Sequence, residues 1–269
     1  MAKRHTLNLR LWLFEVTMCL CALVFAFPLY LLLSLAFKPQ FEWAKNPLGL
    51  PTAWFTENIT NAWTQAKLAP AMFTSTLVMI SSILILVWLG GMAAYWIARH
   101  TSKLSDAVYL FLLGGMILPF QLALIPLYST MRDLGLLGSP ASLILFYPGL
   151  KLPLTVFLYT GFIRSLPKDG ASHWQTFRLV VLPMLRPITA TAMILNGVFI
   201  WNDFLTPLLY LSGSAWATLP VAIYAFVGQE SGDMGLVFGG LLAAMTPILL
   251  AFFMLQKYMI KGFAGGIKG

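Results

Sequence analysis

Long apolar runs separated by short polar breaks dominate the chain, and a bilayer core needs roughly 20 apolar residues per helix. Read at that length, the pattern predicts six membrane spans, at about 12–36, 71–97, 107–131, 141–163, 188–211 and 235–256. Lys151 interrupts the fourth and Asp203 the fifth. Alternating strands of about ten residues, the mark of an outer-membrane barrel, are absent. The expected fold is therefore all-α and polytopic, with 1–269 forming a single transmembrane domain. The first apolar run extends from Trp12 to Phe37, longer than the roughly 7–15 residues of a signal-peptide core, so it reads as a retained span.

One compact polar segment, 164–187, breaks the apolar pattern with a helical pattern of its own. Ser172-His173-Trp174-Gln175 matches a capping box, in which the serine hydroxyl caps the helix start and the glutamine reaches back. From there Trp174, Phe177, Val181, Met184 and Leu185 recur at spacings of three and four, which makes an amphipathic helix. Gly170 permits a bend upstream, and Pro183 interrupts the hydrogen bonding before the fifth span. On these grounds the segment is equally a membrane-surface helix or a docking site for a soluble partner.

Composition agrees with the membrane class: 59% of residues are hydrophobic and 10% charged, too little polar surface to cover a water-soluble globule. Lys and Arg near the span ends orient the chain. Twelve of the 17 fall on the side of the two termini and segment 164–187, and five on the other, counting Lys151 there. Both termini are expected to be cytoplasmic. The net charge of +8 reads as this topology signal plus attraction to anionic lipid; with no soluble basic domain, nucleic acid is not an expected partner. Cys19 and Cys21 point in different directions on one helix and read as buried packing residues. Two outer loops remain. Residues 38–69 carry Trp43, Trp54 and Trp63, read as an interfacial belt, and 212–234 holds Glu230 and Asp233 without a basic residue, a surface for an external partner.

Catalytic patterns are missing. No HExxH, GxSxG or P-loop occurs, and His5, His100 and His173 lie on three separate segments, so neither a metal site nor ATP hydrolysis is expected in this chain. Polar residues inside the spans then become the candidates. Glu15 reads as snorkelling to the cytoplasmic interface, and Lys151 to the outer one. Trp201, Asn202 and Asp203 lie deeper, before Pro207, which frees the carbonyl one turn back. They either line a polar passage or make a packing hydrogen bond between helices.

Asp169-Gly170-Ala171, the nine residues from Ala171 to Leu179 and then Val180-x-Leu182-Pro183 resemble the second half of the EAA motif of bacterial ABC-importer permeases. Trp201-Asn202-Asp203-Phe204, Thr218-Leu219-Pro220 and the terminal Lys261-Gly262-Phe263 through Gly269 resemble the carbohydrate-uptake branch, specifically the second permease of maltose-type transporters. The resemblance runs from the first span to the last residue. It implies the type I importer fold with six spans in the bacterial inner membrane. It also implies a second related permease, a dimer of ABC ATPase subunits that binds the ATP and Mg, and an extracytoplasmic binding protein that delivers a sugar. Coupling to the ATPase would fall to Asp169, Gly170, Ala171, Ser172, Phe177, Leu182 and Pro183, the translocation path to Trp201, Asn202 and Asp203, and a tail contact with the ATPase to Lys261 and Gly262. The chain departs from the family pattern at Lys168-Asp169, where on the order of eight residues, about two helical turns, are absent. Either the protein has lost them, which would cripple docking, or the recorded sequence omits them; the match on both sides of the junction favours the second.

Two other classes fit less well. An ion-coupled secondary transporter should show coupling charges and inverted repeats, and a membrane-embedded enzyme should show convergent nucleophiles or metal ligands.

Overall fold

The computed structural model describes residues 2–100, 102–165, 177, 182–230 and 232–266, and every regular element among them is helical. Among the described residues, three helices are long and apolar enough to cross a membrane: α1 (Ala2–Ala36, apolar from Leu11), α4 (Leu68–Arg99) and α7 (Pro140–Arg164). Two short helices lie between the first pair, α2 (Gln40–Lys45) and α3 (Glu57–Gln65). The third predicted span is two helices, α5 (Lys103–Ile117) and α6 (Phe120–Asp133), bent by 102° at Leu118-Pro119. Pro119 forces Leu118 into an extended conformation (φ −71°, ψ 130°) and has no N–H to continue the ladder.

The fifth predicted span is also broken. After a single turn at Leu182–Met184, α8 (Arg186–Asn202) stops at an extended Asp203, and α9 (Leu205–Tyr210) restarts the helix. In mid-helix Pro207 would kink one continuous helix. It sits instead in the first turn of α9, where a missing N–H costs nothing, and the break has moved to Asp203. The chain continues as α10 (Leu219–Gln229) and α11 (Met234–Gly266).

The chain divides into two compact units, Met1–Leu68 with Ile223–Thr246 and Ala69–Ala222 with Pro247–Gly269. In the first, Lys38 is fully buried, and its ammonium donates to the carbonyls of Asn46 (2.8 Å), Pro47 (3.4 Å) and Gly49 (2.5 Å). Glu42 holds the same loop from the other side, accepting from the Thr52 N–H and hydroxyl. Asn58 donates to the carbonyls of Ala36 and Lys38. These bonds turn part of the tryptophan-bearing loop into an ordered cap. Asp233, read from sequence as a surface charge for an external partner, caps α11 by accepting from the Leu236 N–H at 3.0 Å.

Cys19 and Cys21 are exposed, which corrects the expectation of burial. The reading from residue type assumed a neighbour, but α1 is exposed all along 11–29 and no described side chain covers it.

In the second unit, apolar side chains of the described residues gather in two clusters. One gathers Val78, Leu143, Phe146, Tyr147, Ile200 and Tyr210, and the other Ala94, Tyr95, Val156, Tyr159, Phe177 and Leu185.

Candidate functional site

Four side chains of α7, Tyr147, Lys151, Thr155 and Tyr159, follow one another at intervals of four, so they form a single stripe along the helix. Each meets a residue of α8 or its terminal break, in reverse order. Tyr147 donates to Asp203 (3.0 Å), the Lys151 ammonium lies 3.1 Å from the centroid of the Phe199 ring, Asn196 donates to Thr155 (3.1 Å), and Tyr159 donates to Thr189 (2.9 Å). The two helices are therefore joined by an antiparallel ladder of polar contacts within apolar surroundings. Gly90 lets α4 approach its middle, since a Cβ there would lie 2.7 Å from the Thr155 methyl.

The ladder sits between the two apolar clusters, and its upper end is where the helices are interrupted. Asp203 is half-buried and fixed twice, by Tyr147 and by the Thr206 N–H at 3.4 Å. Lys151 is half-buried too, the twelfth of the 25 residues of α7, within electrostatic range of Asp203. Its sequence reading as a residue snorkelling outward is corrected: it lies near mid-helix and turns onto Phe199. The Phe199 ring also meets Phe120 edge-on, 6.2 Å between centroids, and Phe120 opens α6 just after the 102° bend. Both helix breaks thus converge on one aromatic ring. Nearby polar atoms remain unsatisfied: Asn196 Oδ1, Thr206 Oγ1 and Tyr210 Oη are buried without a hydrogen-bond partner.

Of the three path candidates, Asp203 belongs to this arrangement. Asn202 is exposed and its amide returns to the Val198 carbonyl at 2.8 Å, while Trp201 is buried. Sequence reasoning missed Tyr147, Thr155, Asn196 and Phe199. The four-residue period of polar groups in α7 is the signal that would have found the first two.

Of the coupling candidates, Asp169, Gly170, Ala171 and Ser172 lie outside the described residues, as does the Lys168-Asp169 junction. Phe177 is buried, its ring 5.4 Å from that of Tyr95 and packed in the cluster that contains Tyr159 and Leu185. Leu182 rests against the same cluster, and Pro183 is exposed. Phe177 thereby packs beside Tyr159, at the end of the polar ladder. The Leu219 N–H of the Thr218-Leu219-Pro220 motif donates to Ser75 on α4 at 2.8 Å. Lys261 and Gly262 fall on the last part of α11. Among the described residues, no three His, Cys, Asp or Glu side chains converge as metal ligands would.

The model of the binding-protein-dependent transport system inner membrane component family matches residues 86–263. The chain is 36% identical over 252 residues to the melibiose/raffinose/stachyose import permease protein MelC of Bacillus subtilis (strain 168), covering 90% of this chain and 91% of that protein. It is 34% identical over 240 residues to the diacetylchitobiose uptake system permease protein NgcG of Streptomyces coelicolor, covering 86% and 80%. Its fold resembles a chain of a bacterial ABC transporter involved in the import of the acidic polysaccharide alginate, with a TM-score of 0.78 at 16% identity, over 93% of this chain and 96% of that one.

Proposed function

The chain belongs to the family of binding-protein-dependent transport system inner membrane components, and we propose that it forms half of the translocation path of an ATP-driven importer for a sugar or oligosaccharide. It is an inner-membrane ABC permease subunit with an all-helical type I permease fold. The other half of the path is a second, related permease. ATP and Mg are bound by a pair of ATPase subunits that dock on segment 164–187 and the tail at Lys261 and Gly262, and a sugar-binding protein delivers cargo to the opposite face. Six crossings with both termini cytoplasmic accommodate the helices described, taking α5 with α6 as one bent span and α8 with α9 as one broken span.

The observation that carries the path assignment is that two charged side chains on facing helix segments, Lys151 on the Phe199 ring and Asp203 on the Tyr147 hydroxyl, are both half-buried. Two half-buried charges in mid-span cannot face acyl chains without a large cost, and backbone breaks at membrane depth are tolerated only where they are buried in protein or line a watered cavity. Sugar as cargo is supported by the names of the relatives.

Co-purification tests the reading. A soluble P-loop ATPase and a second permease should remain with this chain through detergent extraction, and reconstituted vesicles should take up raffinose only with ATP inside. Uptake by this chain alone, without nucleotide, would sink it.

A further inference from the structure

The sugar path above leaves open what the cargo meets inside the membrane. We propose that Phe199, Lys151 and Asp203 form a subsite for one neutral sugar ring, with the aromatic face as the platform and Lys151 as its displaceable cover. The inference rests on the importer reading.

A sugar ring has an apolar C–H face and a rim of hydroxyls. A pocket that holds it needs a flat apolar surface beside a few polar groups. Phe199 supplies the surface, at the point where the bend before Phe120 and the break at Asp203 meet. Asp203 supplies a carboxylate whose position is set by Tyr147 and the Thr206 N–H, so its free lone pairs have a fixed direction. Lys151 is the part that can move. Its ammonium rests on the ring face, 3.1 Å from the centroid, at the end of a flexible four-carbon stem. Asp203 is held by Tyr147, one helical turn from Lys151 on the same face of α7, and so offers the ammonium a second seat. When Lys151 moves to the carboxylate, the ring is uncovered and both charged groups stand at the rim where hydroxyls would be. When it returns, the platform closes and the solute is displaced. A mid-span cation that served packing alone would need no alternative partner.

The test uses the whole importer in proteoliposomes and three probes, melibiose, raffinose and diacetylchitobiose. Lys151→Met, which keeps the length and removes the charge, and Phe199→Leu, which keeps the bulk and removes the face, should each raise the half-saturation for the probe best carried about tenfold. Phe199→Tyr should restore it. Wild-type half-saturation in both variants overturns the subsite and leaves the importer reading intact; loss of the ATPase from the purified complex fails the importer reading instead. A thiol assay decides the matter without any cargo. With Cys19 and Cys21, the two native cysteines, replaced by Ser, Phe199→Cys in the assembled complex should react with a membrane-impermeant methanethiosulfonate. Reaction only with a lipid-soluble maleimide would place this face against lipid and overturn the proposal.

Discussion

Tyr147 donates its hydroxyl hydrogen to the Asp203 carboxylate at 3.0 Å, across 56 residues of sequence, and so ties α7 to the break between α8 and α9. Tyr147 is fully buried. Tyr147→Phe removes the bond and leaves a carboxylate oxygen unpaired, which should cost about 1–3 kcal/mol. Thermal unfolding in detergent should register the loss as a lower Tm.

Asp203→Asn keeps the shape of that contact and removes the charge that faces Lys151. Uptake should fall while ATP hydrolysis by the assembled importer continues, because the proposed ATPase docking falls on segment 164–187 and not on Asp203. Equal uptake by variant and wild type would return Asp203 to a packing role.

Phe177, part of the proposed coupling segment, is buried against Tyr95 and in one cluster with Tyr159. Phe177→Ala should destabilise by about 3–5 kcal/mol through the cavity it leaves. Phe177→Leu fills most of that space and should fold. In this second variant, sugar moved per ATP hydrolysed is the quantity to measure, and it should drop if Phe177 transmits the ATPase stroke into α7.

The Lys38 ammonium gathers three carbonyls of the loop at 46–49. Lys38→Met removes that donor from all three, leaving only the Gly49 carbonyl with another, the Ser34 hydroxyl at 2.8 Å, and should cost roughly 1–3 kcal/mol. It should also open the loop to cleavage near Leu48 and Leu50, which are already exposed. Thermolysin added outside spheroplasts should cut the variant faster than the parent; cutting only from the cytoplasmic side would reverse the expected orientation.

Gly235 packs its bare backbone on the Lys38 carbonyl, where a Cβ would stand 2.5 Å from the oxygen, and a Cβ on Gly239 would stand 2.8 Å from the Asn58 carbonyl carbon. Gly235→Ala should cost about 1–3 kcal/mol by overpacking. Gly228→Ala, at a position open to 4 Å, serves as the contrast. A helical Ala there should stabilise by roughly 0.5–1 kcal/mol, and the two melting shifts should have opposite signs.

The residues in order were enough to establish a helical membrane chain, the polar segment at 164–187 with Phe177 on its apolar stripe, and the motifs that carry the family resemblance. These are local or averaged properties, and hydropathy over about 20 residues or a periodicity of three and four needs no knowledge of what lies opposite. The tertiary structure alone decided that Lys38 is buried, that Cys19 and Cys21 are not, that the third and fifth predicted spans are broken, and that Lys151 turns onto Phe199. Hydropathy sums residues without regard to direction, so it records Lys151 as an interruption and cannot tell snorkelling from an inward turn. The partners of the α7 stripe lie 30, 41 and 56 residues away along the chain for its three hydrogen bonds. No local pattern specifies which helix will pack there, because that choice is made when α7 and α8 satisfy each other's polar groups where water cannot.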